Sequence, residues 1–430
     1  MSGKQPVWYE MQMVKDMMGL FGGKAIRGIT SSFNSPIVYM GKAGVSSMAQ
    51  LIKANMNRED RRALIVMDSF TQKFSSKVTE DLEFNEIEYK IFPGIEPEVP
   101  LANIDEGVKI CEEFRPTVII AVGGGSVMDA AKSILLKYEK PDANFFMLLP
   151  IGGPLGLRKK VRYLIAIPTT SGTGSEVTGT SVLTDTNRTP HKKLVVNNAE
   201  LVPDIAILDT DFVEDMPPLL TLGSGLDAFA HAFGAYVSNW GNPLADAINI
   251  AAIKEVMKYL PRAYKYGKED LEARAHMQQA ALVAGLGFGN TVAGTEHALG
   301  HSFGKVFYVH HGLSVGLFLP YSLEFQAKVT DRWKDLCPLF NVSIENKERN
   351  ILFREFMDAV KGFIHSVDGP TCVKDLSHPS ITKDEYMEKL DLLTDYAEND
   401  VVSLLSYRPL SRDLYKKIYE YAWDGKEIDF

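Results

Sequence analysis

The stretch Thr117–Lys132 reads TVIIAVGGGSVMDAAK and constrains the fold more than any other. Its first six residues are an unbroken β-branched and apolar run. Such a run suits a strand buried on both faces, as in a parallel sheet. Three glycines then turn the chain, and Ser126 onward has helical composition. The same texture recurs on either side. Strands are expected at Ile37–Met40, Ala63–Met67, Glu88–Phe92, Tyr163–Ile167 and Asp204–Leu208. Helices are expected at Ser46–Ala54, Phe74–Phe84 and Ile104–Phe114. Parallel neighbours need a crossover helix, so the alternation implies a parallel sheet with helices on both faces. Val182–Thr184 and Lys193–Val196 suit an antiparallel pair across the turn Asp185–His191. Residues 140–162 read as a long Pro- and Gly-rich loop.

The texture changes after Met216-Pro217-Pro218. Long Ala- and Leu-rich helical patterns follow at Gly225–Val237, Pro243–Tyr259, Asp270–Gly285, Asn350–Val367, Lys383–Glu398 and Ser411–Trp423. The expected organisation is an N-terminal extension over 1–35, an α/β domain over 36–214 and an all-α domain over 215–430. Met11–Phe21 has helical spacing, ended by Gly22-Gly23.

The chain carries 46 basic and 55 acidic residues, a net charge of −9, which argues against nucleic acid or an anionic membrane as the main partner. No apolar run reaches the length of a membrane span, and the start lacks a secretory pattern. The three cysteines are far apart in sequence, which suits a reducing cytoplasmic setting and gives no Cys-based metal site.

Two loops invite a nucleotide. Gly123-Gly124-Gly125-Ser126 follows a strand and opens a helix, where free N–H groups favour phosphate. The spacing is not G-x-G-x-x-G, and the competing reading is a tight turn with Ser126 as cap. Pro168-Thr169-Thr170-Ser171-Gly172-Thr173 also follows a strand and offers hydroxyls on the same sheet edge. Asp68, after Ala63–Met67, is placed to bond ribose hydroxyls and disfavour a 2′-phosphate, unless it merely caps a turn.

Four of nine histidines, His297, His301, His310 and His311, lie within residues 297–311. His297 and His301 share one helix face, as do Asp227 and His231. Asp227 and His231 with His297 and His311 make one carboxylate and three imidazoles, a donor set suited to Fe(II) or Zn(II). Gly285-Leu286-Gly287-Phe288-Gly289 has no strand before it and reads as close helix packing. His191, His276, His365 and His378 are scattered and receive no role.

Four motifs in order resemble the iron-containing (group III) alcohol dehydrogenases. They are GGGSVMDAAK at 123–132, PTTSGTGSE at 168–176, GLDAFAHA at 225–232 and EHALGHSFG…HG at 296–312. The resemblance runs from about residue 35 to the C-terminus. It implies a Rossmann-like N-terminal domain, a helical C-terminal domain, and a dinucleotide and a metal bound between them. It implies Asp227, His231, His297 and His311 as metal ligands, and moves His301 from ligand to a place near the nicotinamide. It implies Gly124, Gly125 and Ser126, with Asp129 of the same motif, at the pyrophosphate, and Thr169, Thr170 and Thr173 in the second nucleotide loop. Asp68 matches an acidic position linked to NAD preference. Two features depart from the family pattern: His310 replaces a common proline, and Glu98-Val99 replaces Asn/Asp-Pro.

The expected activity is reversible hydride transfer between a small alcohol or aldehyde and NAD, with NADP less favoured. Fe2+, or Zn2+, would act as Lewis acid and stabilise the alkoxide, and His301 would carry the proton. A homodimer or higher homo-oligomer in the cytoplasm is expected. Three other readings compete. A cyclase or lyase of the dehydroquinate synthase type should bring more basic residues than the single Lys305 within 297–312. A metal-dependent hydrolase leaves both nucleotide loops without a task. A degenerate nucleotide-binding protein leaves the ligand set without one.

Overall fold

A computed structural model describes residues 7–15, 33–147, 154–188 and 191–430. The expected helix stop at Gly22-Gly23, residues 148–153 of the long loop and residues 189–190 of the turn lie outside these. The chain divides into two compact units, and Phe33–Met216 and Pro217–Phe430 make up most of them.

The first unit is a six-stranded parallel sheet in the order β1-β8-β5-β4-β2-β3. Its strands are β1 (Ile37–Met40), β2 (Arg62–Asp68), β3 (Glu88–Ile95), β4 (Val118–Gly123), β5 (Tyr163–Pro168) and β8 (Ile205–Leu208). The helices α1 (Gly44–Asn55), α2 (Ser75–Phe84), α3 (Leu101–Phe114) and α4 (Gly125–Glu139) alternate with them. Every residue of β4 is buried, as its uninterrupted apolar run requires. Val182 and its neighbours form the separate antiparallel pair β6 (Thr180–Asp185) and β7 (Lys192–Asn197).

This strand order locates the ligand edge. From β2 the chain moves outward to β3, then returns across β2 to β4 on the opposite side. The loops after β2 and β4 therefore diverge, and that divergence opens a crevice at their carboxyl ends, where α/β sheets bind ligands. Asp68 ends β2, and Gly123 ends β4.

The second unit is helical: α5 (Pro218–Val237), α6 (Pro243–Tyr266), α7 (Leu271–Gly289), α8 (Thr295–Phe307), α9 (His311–Gln326), α10 (Arg349–Ser366), α11 (Lys383–Glu388), α12 (Leu390–Glu398) and α13 (Arg412–Asp424). Two of these form its centre. Every residue from Thr221 to Val237 on α5 is buried, as is every residue from Gly312 to Gln326 on α9. A helix apolar on all sides belongs inside a core. Phe229, Phe233, Phe303, Phe318 and Phe356 fill the space around them. Polar side chains on such helices, Asp227 and His231 above all, need partners or a task to offset their burial. Among the described residues no helix is long and apolar enough to cross a membrane.

The GLGFG run lies inside α7. A Cβ on Gly287 would stand 1.8 Å from Asn249 Oδ1 on α6, so this glycine serves close helix packing, as read from the sequence. In the N-terminal stretch, Trp8 is buried and donates its backbone N–H to Phe146 O at 2.9 Å and its indole N–H to Val195 O at 3.3 Å.

Candidate nucleotide loops and metal centre

In the first unit the two loops after β4 and β5 lie side by side. Gly123 pairs with Pro168, and Thr169 N–H donates to Gly123 O at 3.1 Å. Thr173 crowds Gly125: a Cβ there would sit 3.1 Å from Thr173 Cγ2. Gly124 is the N-cap of α4, and no side chain caps this helix. Ser126 is thus not the cap, and no side chain caps the N–H groups of the first turn, an arrangement suited to an anion. Thr170 Oγ1 is buried with no hydrogen-bond partner, next to Gly124.

Asp68 and Asp129 sit differently from one another. One Asp68 oxygen accepts Thr71 N–H at 2.6 Å, so the carboxylate does cap the turn after β2. The other oxygen is outside that bond. Asp129 turns both oxygens inward: Oδ1 accepts from Ser175 Oγ at 2.8 Å and Oδ2 from Val182 N–H at 2.9 Å. Those contacts brace the second loop against β6.

Sequence reading passed over what supports these loops. Lys132 is fully buried and donates to Ser175 Oγ and to Thr180 O, each at 2.7 Å. Burial pulls its pKa down to about 8, against the pull of Asp129 and Glu176. Glu176 is buried too, and burial raises its carboxyl from 4.5 to about 7 despite Lys132. The folded chain therefore keeps the Glu176 proton to about pH 7, whereas the unfolded chain releases it near 4.5. The stability this contributes is present in full below pH 4.5 and is lost as pH rises to 7. Glu176→Gln removes this dependence. The variant is expected to gain about 2 kcal/mol on the native chain between pH 5 and pH 8. Chemical denaturation at both pH values measures it, and parallel stability curves would refute it.

In the second unit α5, α8 and α9 bring the ligand candidates together. Asp227 Oδ1 lies 3.2 Å from His311 Nε2 and 3.8 Å from His297 Nε2. Asp227, His297 and His311 each present one donor atom, all within 4.8 Å of one another. Asp227 and His297 are almost wholly buried, and Asp227 Oδ1 and His297 Nε2 have no hydrogen-bond partner. Buried polar atoms left so cost stability unless they serve a ligand. The donors suit a divalent Fe or Zn ion in charge and chemistry.

His231 stands at the border of this group. Its Nδ1 is 3.7 Å from Asp227 Oδ1, and its ring is stacked between Phe288 and His297, at centroid distances of 4.1 and 4.5 Å. The converging trio does not include it. His301 also stays outside the trio. Its Nδ1 is 2.8 Å from Asp400 Oδ2, and its ring stacks on His311 at 5.1 Å.

Electrostatics follow from this crowding. Burial raises the Asp227 carboxyl, but His231, His311 and His297 outweigh it and hold Asp227 well below the usual range. Burial lowers His297, but Asp227 and Glu296 outweigh it and raise the imidazole to about 9. His301 is lowered, by burial first, with Asp400 opposing.

The approach of α9 to α5 depends on glycines, Gly312 above all. A Cβ on Gly312 would meet Gly223 O at 1.8 Å and Asp227 Cβ at 3.0 Å. No other residue lets the start of α9 come close enough to set His311 beside Asp227. His310, unexplained by the sequence, is the N-cap of α9, and its ring rests on Gly223, where a Cβ would be 2.3 Å from Nδ1. It is a packing residue of the same junction. Asp400 and Glu296, the partners of His301 and His297, were missed. Asp400 is 99 residues from His301 and no spacing rule reaches it. Glu296 stands next to His297 and reads as an ordinary acidic residue in a helix's first turn.

Comparisons agree with this arrangement of elements. A family model described as iron-containing alcohol dehydrogenase matches residues 35–210, and the C-terminal model of the Fe-containing alcohol dehydrogenase family matches residues 221–423. The chain is 32% identical over 397 residues to an NADPH-dependent butanol dehydrogenase of Clostridium saccharobutylicum, covering 91% of this chain and 98% of that one. It is 32% identical over 320 residues to an NAD-dependent methanol dehydrogenase of Bacillus methanolicus, covering 74% of this chain and 81% of that one. An alcohol dehydrogenase structure from Oenococcus oeni superposes with a TM-score of 0.82 at 28% identity, over 92% of this chain and all of that one. With the α/β fold, the helical unit and both family models in agreement, the chain belongs to the iron-containing alcohol dehydrogenase family, as an oxidoreductase that acts on alcohols with a nicotinamide dinucleotide and a metal.

Proposed function

We propose that the protein interconverts a primary or small secondary alcohol and its aldehyde or ketone with NAD, using Fe2+ held by Asp227, His297 and His311, with His231 as fourth donor. The convergence of the partnerless Asp227 Oδ1 and His297 Nε2 with His311 carries this reading. When bound, the cation supplies Lewis-acid polarisation of the substrate oxygen. Asp227 contributes charge, and the stacking of His231 between Phe288 and His297 restrains both imidazoles.

His301 accepts the transferable proton. Asp400 is an acceptor only, so Nδ1 donates to it, and Nε2 keeps the lone pair that takes a proton from the alcohol. The uncapped start of α4 binds the pyrophosphate, and Thr170 Oγ1 offers it a further hydrogen bond. Asp129 acts through the second loop rather than on the cofactor. β1 is an edge strand with Ile37 and Met40 exposed, which supports a homo-oligomer.

The relatives named above differ in the dinucleotide they use, so the NAD assignment rests on Asp68. Its free oxygen suits ribose hydroxyls, and its charge opposes a 2′-phosphate. Protein loaded with Fe2+ or Zn2+ is assayed with NAD and NADP against primary and secondary alcohols, following reduced nicotinamide. Turnover with NAD is expected, and no turnover with any pair would overturn the proposal. Asp68→Ala is expected to raise the ratio of kcat/KM for NADP over NAD about tenfold. An unchanged ratio would leave Asp68 as a turn cap alone.

A further inference from the structure

Glu296 is a wholly buried carboxylate in the helical unit that the chemistry above does not use. Three groups surround it. Oε1 accepts Gly294 N–H at 2.9 Å and faces His297 Nδ1 at 3.0 Å. Oε2 accepts from Ser322 Oγ, on α9, at 2.8 Å. A seat has been cleared for it on α5: a Cβ on Gly234 would lie 2.1 Å from Oε1. Gly234 is seven residues beyond Asp227 and three beyond His231, so it lies on the helix face that carries both. The carboxylate thus ties together the three helices that bear the ligand candidates.

A structural explanation alone is inadequate. A buried carboxylate is costly, and an apolar side chain of similar volume would fill the seat with less penalty. The carboxylate gains instead from the ring it touches. A carboxylate accepts only, so Nδ1 of His297 donates to it, and Nε2 is the nitrogen a cation would take by displacing its proton. That is the atom facing Asp227 Oδ1. Partners of this kind fix the tautomer and ring orientation of a ligating histidine and raise its basicity.

We infer that Glu296, seated by Gly234 and held by Ser322, is a positioning residue for the metal: it locks His297 in its Nε2-donating form and adds a second negative charge beside Asp227. The inference rests on the metal reading above. It predicts tighter retention of a divalent cation than the trio gives without it.

The test is competitive titration of Zn2+ and Co2+ against a chromophoric chelator, with the d–d spectrum of the Co2+ protein as a second readout. Glu296→Gln keeps the shape and removes the charge. It is expected to weaken affinity 10- to 100-fold and to shift the Co2+ spectrum. Gly234→Ala touches no proposed ligand; its Cβ would meet Glu296 Oε1 at 2.1 Å and the Gly294 backbone N at 2.6 Å, so it displaces the carboxylate together with its Gly294 donor and should weaken affinity in the same direction. Combining the two should cost less than the sum of the single changes, since both act through one group. His297→Ala is the reference. If it loses the metal while Glu296→Gln binds like the native chain with an unchanged spectrum, the Glu296 inference falls and the metal reading stands. If His297→Ala itself binds like the native chain, the metal reading falls. Thermal melts of each apo variant separate loss of affinity from loss of folding, and Glu296→Asp supplies a charged control if Glu296→Gln fails to fold.

Discussion

Protein with His297→Ala is expected to emerge from purification with little metal and with kcat lowered by at least about 10³-fold, the scale of several kcal/mol of lost transition-state stabilisation. The expectation follows from where the ring stands. His297 is buried, it faces Asp227 Oδ1 at 3.8 Å, and His231 is stacked on it. Removing it deletes one donor of the converging trio and also loosens the stack that holds another imidazole. Elemental analysis of the purified variant gives metal content, and turnover with NAD and a primary alcohol gives activity. A variant that retains metal and turns over at the native rate would remove the site from this part of the chain. Removing the metal from the native protein with a chelator should give the same loss, restored by adding Fe2+ or Zn2+.

His301→Gln separates proton handling from metal binding. Its ring lies outside the trio and is held through Nδ1 by Asp400. The variant is expected to keep its metal and lose about 10² to 10⁴ in kcat, the usual contribution of a placed general acid or base. KM for NAD should change little. Exogenous imidazole should restore part of the rate to His301→Ala, since a small diffusible base replaces the missing ring. Retention of the native kcat in His301→Gln would assign the proton to another group. Loss of metal in the same variant would make His301 a ligand, the role that its spacing from His297 first suggests.

The elements that sequence reading located best are those whose periodicity is local. β4 was legible because every residue of it is buried, and an unbroken apolar run leaves no other choice. Boundaries failed where one residue contradicts its neighbours. The expected helix ends at Tyr259, two residues before Pro261, yet α6 runs through that proline to Tyr266. The expected strand ends at Phe92, just before Pro93-Gly94, but β3 is an edge strand, where a missing donor is tolerated, and it reaches Ile95. Lys383–Glu398 read as one helix and is two, α11 and α12, joined at Lys389. The buried residues Tyr386, Leu390, Leu393 and Ala397 keep a helical stripe across the joint, so the pattern carries no sign of the break.

The site divides along the same line. The sequence by itself determined the donor types, the i,i+4 pairs and the strand-end glycine loops, because those depend on residues a turn or two apart. It also placed Asp227 and His231 on one helix face, while the burial of that helix from Thr221 to Val237 came from the structure. Only the tertiary structure decided which donors meet. It set His311 against Asp227 because Gly312 lets α9 touch α5, placed His231 at the border of the trio, gave His301 to Asp400, and bound Glu296 to Ser322 across two helices. Each of these contacts depends on how closely two helices approach, and that distance is set by packing volumes summed over many residues, which no spacing along the chain records.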